Sequence, residues 1–535
     1  MIRVSGPACA AIYHSLCPDK RLPRPRHAVV RSLYEPRSQP SPETLLDSSA
    51  LILYFPGPKT VTGEDVLELH VHGGPAIVKA VLGAIPKCSS TASTIRYAEP
   101  GEFTKRAFLN DRLDLTQVEA LGDSLSATTE QQRRLSVRRT TNRLSRQYET
   151  WRSMLLYARG ELEALIDFSE DQHFDESPLE LTSSVARQVQ SLKLALEAHS
   201  NNAVRGELLR NGINISLLGA PNAGKSSLLN RVVGREAAIV SHEAGTTRDV
   251  VEVGIDLGGY LCRLGDTAGL RKVQSMLGDG EKSALIENAV GQIEQEGMRR
   301  ARERAAESDV VMAVFSFEKS NLNKHAELKL DPEVVATADA LAKEKGNVIV
   351  VVNKIDQSPP FLTKDQITDL VRAALPSIRK HDIHCISCRE AEARGDMDAN
   401  AGGIQTFLTG LIMRFEDLTR AVTADASPGM AELEPGAAEM DTSVWQESLG
   451  ATERHRLLLD ECILHLDAFL NEAEGRGGAE TSSFDAYVSD DVDLVVAAEC
   501  LRSAADCLAR ITGKGDAGDV EEVLGVVFEK FCVGK

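Results

Sequence analysis

A chain of 535 residues with 42% hydrophobic and 26% charged positions is too long for one ordinary domain and too apolar for a disordered one. Its formal net charge of −19 excludes a general binder of polyanions, and no run approaches the roughly 18 apolar residues that a membrane-spanning helix needs. Ten cysteines spread over this length lack the density of a disulfide scaffold and point to a reducing compartment.

Residues 1–6 read as a strand entered midway, with no secretory signal, as though the natural start were missing. Strand-like runs at 50–55 and 66–71 alternate with turn signals at Pro56-Gly57-Pro58, Gly73-Gly74-Pro75 and Pro100-Gly101. This predicts a small α+β domain over 1–115. From 116 to 209 Gly and Pro nearly vanish, and apolar residues recur at helical spacing, as at Met154, Leu155, Ala158, Leu162 and Leu165. A helical domain is therefore expected over 116–207. Charge is uneven: residues 1–120 carry 14 Lys/Arg against 12 Asp/Glu, and 131–160 hold eight arginines and one glutamate. That basic stretch is either a local nucleic-acid contact or a solvated helix face.

The pattern changes at Ile213. A strand-like run, 213–218, leads straight into Gly219-Ala220-Pro221-Asn222-Ala223-Gly224-Lys225-Ser226, and a helix-like stretch follows at 227–233. Further strand-like runs lie at 260–264, 310–315, 348–352 and 381–386. Alternating strands and helices predict a doubly wound α/β domain over 208–413. Residues 418–450, rich in Ala, Glu, Ser, Gly and Pro, read as a mobile insertion. Helical spacing returns over 451–512, so 414–535 is the second part of a helical domain into which the α/β domain is inserted.

Residues 219–226 match the phosphate-binding pattern GxxxxGK[ST]. Glycines let backbone N–H groups approach phosphates, and the following helix N-terminus favours their charge. Ala223, Gly224, Lys225, Ser226 and Ser227 are expected to cradle the phosphates, with Lys225 on the β- and γ-phosphates and the Ser226 hydroxyl on magnesium. Asp266-Thr267-Ala268-Gly269 follows the strand at 260–264. Asp266 can hold the magnesium through water, and the Gly269 N–H can meet the γ-phosphate. Asn353-Lys354-Ile355-Asp356 follows the strand at 348–352, where the Asp356 carboxylate can accept from guanine N1 and N2. Adenine offers no such pair, so the nucleotide is GTP. Ser387-Cys388-Arg389 then offers a backbone N–H to guanine O6. The lone Cys385-Ile386-Ser387-Cys388 has no second pair and makes a weak zinc or redox motif. Many Ras-like GTPases place a water-orienting glutamine right after Asp-x-x-Gly. Here Leu270 stands in that position and cannot do it.

Beyond these motifs the chain resembles the MnmE (TrmE) tRNA-modification GTPases and their mitochondrial counterparts over nearly its whole length. The resemblance rests on Phe55-Pro56-Gly57-Pro58, Thr62-Gly63-Glu64-Asp65-Val66-Leu67-Glu68, His72-Gly73-Gly74-Pro75, Pro100-Gly101-Glu102-Phe103-Thr104 and Arg106-Ala107-Phe108-Leu109-Asn110. It also rests on Gly245-Thr246-Thr247-Arg248-Asp249 and on the terminal Phe531-Cys532-Val533-Gly534-Lys535. It implies three parts: an α+β N-terminal domain that binds folate and dimerises, a helical bundle, and an inserted Ras-like α/β GTPase domain.

The implied reaction modifies C5 of the wobble uridine of certain tRNAs, with an FAD-dependent partner of the MnmG (GidA) type. The product carries a carboxymethylaminomethyl or a taurinomethyl group. The implied one-carbon donor is 5,10-methylene- or 5-formyl-tetrahydrofolate, contacted by Arg3, Glu68, Arg112 and Lys535, each of which also reads as a surface ion-pair residue. The resemblance further implies potassium activation. Asn222 would supply a side-chain oxygen, and 241–246 would wrap the ion through Ser241, Glu243 and Thr246, while Thr247 would complete the magnesium site. The water-orienting glutamate of the family falls on Glu294, in Glu294-Gln295-Glu296-Gly297, although the stretch 274–292 is longer than usual and Glu287 or Glu296 competes for the role. Cys532 is implied as a nucleophile or methylene carrier, and a buried structural thiol is the equal alternative.

The insertions at 274–292 and 418–450 favour a mitochondrial (matrix) protein, with a bacterial cytoplasmic one as the alternative. A competing function is a regulatory or ribosome-assembly GTPase without RNA chemistry. Era-like and EngA-like proteins share similar Pro-Asn-x-Gly-Lys-Ser loops but lack the N-terminal domain and the cysteine terminus.

Overall fold

The computed structural model describes residues 1–89, 94–168, 178–235, 237–242, 253–265, 299, 302–319, 326–394, 400–422, 442–473 and 493–514. Its contacts divide the chain into two units, one of 1–125, 137–197 and 457–535, the other of 126–136 and 198–456.

In the first unit the alternation of apolar and polar residues near the N-terminus produces four strands: β1 (Ile2–Ser5), β2 (Val29–Tyr34), β3 (Leu45–Phe55) and β4 (Val66–His70). They pair antiparallel in the order β1-β4-β3-β2. Along β3, Ala50, Ile52 and Tyr54 are buried while Leu51 is exposed, the period of two that one packed face requires. Helices Cys9–Leu16 and Pro75–Ala84 contribute Ile12, Tyr13, Leu16 and Val81 to the same core. The strand read at the very start is present, and among the described residues it borders the sheet with β4 as its neighbour.

Helix Arg143–Phe168 packs along helix Leu494–Thr512 in the same unit. The Thr512 hydroxyl donates to Glu149 Oε1 at 2.8 Å, and the Lys514 ammonium lies 2.9 Å from Glu149 Oε2. Asp493 caps the later helix by accepting from the Val495 and Val496 amides, and Gly513 ends it in the left-handed region. The basic stretch is laced with carboxylates. Within the first unit Arg139 meets Glu119 and Asp123, Arg152 meets Glu149, and Arg159 meets Glu163. Arg133 and Arg134, in the second unit, both meet Glu130. Arg133 and Arg134 fit the solvated-face reading, whereas Arg139 is buried against its carboxylates.

The second unit is built on β5 (Ile213–Leu218), β6 (Ala237–His242), β7 (Val253–Leu257), β8 (Tyr260–Gly265), β9 (Val310–Lys319), β10 (Ala326–Lys329), β11 (Val348–Asn353) and β12 (Ile383–Cys385). The sheet order is β12-β11-β9-β5-β8-β7-β6, with β10 paired to β9. Strands β12, β11, β9, β5 and β8 run parallel, and every residue of β11 is buried, as a strand covered on both faces must be. Helices Lys225–Arg235, Pro332–Glu344, Lys364–Ala374 and Ile404–Thr419 belong to this unit.

The structure adds to the sequence reading an antiparallel extension, β6-β7, and the strand β10. The β7–β8 turn is Gly258-Gly259, with φ of +61° and +88°, a hairpin signal legible in the sequence. One expectation needs correction. Of the expected mobile insertion 418–450, residues 423–441 lie outside the described residues, and at its described ends helices run through Thr419 and over Thr442–Ser448. Trp445 and Leu449 are buried, Trp445 lies edge-on to His199 at 5.4 Å, and Asn202 Nδ2 donates to Ser448 Oγ at 2.8 Å. A Cβ on Gly206 would sit 1.7 Å from the Leu449 carbonyl oxygen, so glycine is what lets this segment dock.

Candidate nucleotide-binding site

The strand ends β5, β11 and β12 leave the same edge of the parallel sheet, where open α/β sheets bind ligands. Residues 219–224 form the turn between β5 and helix Lys225–Arg235. Asn222 and Gly224 take positive φ of +64° and +95° there, which bends the chain back over the helix N-terminus. Gly219 and Gly224 are sterically required. Added Cβ atoms would lie 2.5 Å from Val314 O and 2.1 Å from Asn353 Nδ2. Lys225 Nζ donates to the carbonyls of Gly219 and Ala220 at 2.6 and 2.9 Å, folded over the loop in the place where phosphate oxygens would be met. Ser226 and Ser227 are exposed on the first helical turn, and Ala223 is buried beneath it.

Asn353, at the end of β11, ties the site together. Its Nδ2 donates to Ala223 O at 3.2 Å, and its Oδ1 accepts from the Lys354 and Cys388 amides at 2.8 and 3.4 Å. Lys354, at φ +59°, reaches back to donate to Asn222 O at 2.7 Å. The side chain of Asp356 is exposed in the short turn Ile355–Gln357, where its Oδ1 accepts from the buried Ser387 hydroxyl at 2.6 Å. Ser387 is itself held by its amide donating to Gly402 O at 2.8 Å, and a Cβ on Gly402 would meet Ser387 O at 2.1 Å. The phosphate loop, 353–356 and 387–389 are thus one bonded assembly. The sequence reading missed the part of Gly402-Gly403, whose paired glycines were the available signal. Cys388 is buried and its thiol is pushed up to about 11, chiefly by burial. That argues against a redox role for the 385–388 pair. Arg389 is exposed at the start of helix Cys388–Arg394.

Ser241 lies on β6. Glu243, Thr246, Thr247, Asp266, Thr267, Ala268, Gly269, Leu270, Glu294, Cys532 and Lys535 lie outside the described residues.

In the N-terminal sheet Arg3 and Glu68 face each other across β1 and β4, and Arg3 Nη2 and Nε donate to Glu68 Oε1 at 2.7 and 2.9 Å. Arg112 stands elsewhere, with Nε donating to Thr60 O at 2.9 Å. Arg3 lines a cavity of about 630 Å³, together with Arg96, Tyr97, Phe103 and Arg106. Neither Glu68 nor Arg112 lines it. Glu102 accepts from both Arg96 and Arg106, which hold its carboxyl at about 2 against the opposing effect of burial. The cavity has the size of a cofactor pocket and a cationic wall.

These features define a guanine-nucleotide-binding P-loop protein with an added N-terminal sheet domain. The model of the GTP-binding protein TrmE N-terminus matches residues 1–112, and the model of the MnmE helical domain matches 115–532. The chain is 36% identical to the human mitochondrial 5-taurinomethyluridine-[tRNA] synthase subunit GTPB3, covering 100% of this chain and 90% of that relative. It is 36% identical to the tRNA modification GTPase MnmE of Paramagnetospirillum magneticum, covering 100% and 96%. It is 34% identical to the mitochondrial tRNA modification GTPase mss1 of Schizosaccharomyces pombe, covering 100% and 92%. The chain belongs to the MnmE/TrmE family of tRNA-modification GTPases.

Proposed function

We propose that this tRNA-modification GTPase is potassium-activated and works in mitochondria on C5 of the wobble uridine, with an FAD-dependent MnmG-type partner and a folate one-carbon donor. The observation that carries the GTPase part is the bonded assembly in which Asn353 and Lys354 hold the phosphate loop while Ser387 holds the Asp356 carboxylate. The end-to-end likeness to mitochondrial relatives supports the tRNA substrate and the location. No helix among the described residues is long and apolar enough to cross a membrane.

The residue roles proposed for this reading are as follows. Asp356 accepts from the base, and Ser387, Cys388 and Arg389 border it. Asn353 and Lys354 hold the base loop against the phosphate loop. Lys225 exchanges its two carbonyl partners for phosphate oxygens. Ser226, with Thr247 and Asp266, would hold magnesium, which neutralises charge on the phosphates. Asn222, Ser241, Glu243 and Thr246 would hold potassium in the position an arginine finger takes elsewhere. Glu294 orients water in place of Leu270. In the N-terminal domain the cavity beside Arg3 supplies cationic side chains for an anionic folate tail. Glu68, Arg112 and Lys535 are the further residues assigned to folate, Glu68 and Arg112 standing outside that cavity; the domain would also dimerise, and Cys532 would be the thiol of the one-carbon step.

Two measurements test this reading. GTP turnover should rise in potassium and stay low in sodium at equal ionic strength; equal rates in both salts would remove the cation mechanism. Nucleoside analysis of mitochondrial tRNA from cells lacking the gene should show loss of the modified wobble uridine. Unaltered uridines together with intact GTPase activity would leave the reading of a regulatory GTPase.

A further inference from the structure

Helices Glu453–Ala473 and Leu494–Thr512 are registered by Cys462 Sγ, which donates to Ala504 O at 3.4 Å. Along that seam, three side chains of different ligand chemistry converge. Glu461 and His465 stand four residues apart on one helix, and therefore on one face of it. Cys507 comes from the other helix. A carboxylate oxygen, an imidazole nitrogen and the thiol sulfur all lie within 4.8 Å of one another. The Cys507 side chain is buried at 3% exposure, whereas the Glu461 and His465 side chains reach solvent. Arg510 Nη1 donates to Glu461 Oε2 at 3.3 Å and orients the carboxylate toward the seam. His465 also borders a small cavity of about 290 Å³ with Val495, Val496 and Cys500, giving solvent a way to the imidazole.

We propose that Glu461, His465 and Cys507 form a site for a zinc-class divalent cation, with a fourth position left to water. One sulfur, one nitrogen and one oxygen ligand suit a borderline-soft tetrahedral ion and not magnesium or calcium, which take oxygen ligands. Thiolate and carboxylate supply two negative charges toward the cation, the carboxylate sharing its charge with Arg510, and the thiol proton leaves to solvent when the cation binds. The site joins the two helices from different stretches of the sequence, so its occupancy braces the helical part of this unit. Neither the GTPase assembly nor the folate assignment uses these residues.

The test is metal content of the full chain. The protein is stripped with a chelator, exposed to zinc alone, freed of excess and analysed by mass spectrometry. A cobalt-substituted sample is examined for thiolate-to-cobalt absorption. About one zinc per chain is expected. The absorption should vanish in Cys507→Ser and persist in Cys385→Ser. Zinc affinity should fall about tenfold or more in His465→Ala and Glu461→Gln. These two partly exposed positions decide the matter if Cys507→Ser does not fold, with circular dichroism confirming helix content. No retained zinc, retention unchanged in His465→Ala and Glu461→Gln, or loss of the absorption in Cys385→Ser each overturns the site.

Discussion

Replacing Asp356 by asparagine should weaken GTP binding by about 100-fold and turn the protein toward xanthosine triphosphate. In the proposed site the carboxylate would accept from guanine N1 and N2, and two charge-assisted hydrogen bonds contribute about 1.5–3 kcal/mol each. Losing about 3 kcal/mol corresponds to about two orders of magnitude in affinity. Asparagine keeps one acceptor, and the Ser387 hydroxyl can still donate to it as it does to Asp356 Oδ1 at 2.6 Å. Its amide group then faces the guanine amino group, donor against donor. Xanthine carries a carbonyl at that position, so the amide finds an acceptor. Equilibrium competition against a fluorescent guanine nucleotide measures both effects. A variant that keeps its preference for GTP would show that the base is read elsewhere.

The Glu294→Ala variant should bind GTP as tightly as the parent and hydrolyse it about 100- to 10,000-fold more slowly, the range that a lost general base or water-orienting group costs. Leu270 has no side-chain polar atom to hold the attacking water. Some other group must do so, and a glutamate that touches only the water leaves ground-state nucleotide binding unchanged. Single-turnover hydrolysis alongside a binding titration separates the two quantities. An unchanged rate moves the role to Glu287 or Glu296. A parallel loss of binding would mean that Glu294 supports the loop and not the water.

Much of the GTPase core was legible because local chemistry is sufficient there. A buried parallel strand needs a largely apolar run: 348–352 is continuous, and 213–218 supplies Ile213, Ile215, Leu217 and Leu218 around Asn214 and Ser216. A phosphate turn needs glycine where a Cβ would strike Val314 O or Asn353 Nδ2, and the sequence has Gly219 and Gly224 there. Edge strands were harder. Strand β10 has four residues, and β6 and β10 pair antiparallel with their chain neighbours β7 and β9, where no strand buried on both faces imposes a continuous apolar run. The segment ending at Leu449 looked like loop from its composition, since the value of Trp445 lies in the partner it finds at His199.

The sequence by itself determined the nucleotide, through Asp356 and the phosphate loop, and it carried the family likeness in short motifs spread from Phe55 to Lys535. Those are matters of residue type at fixed local spacing, which the backbone converts directly into donors and acceptors. Only the tertiary structure decided that Asn353 and Lys354 grip the phosphate loop, that Gly402 positions Ser387, and that Arg3 pairs with Glu68 while Arg112 sits on Thr60. It alone brought Glu461, His465 and Cys507 together. Each of these contacts joins residues far apart in the chain, and their proximity follows from sheet register and helix packing, which no local pattern encodes.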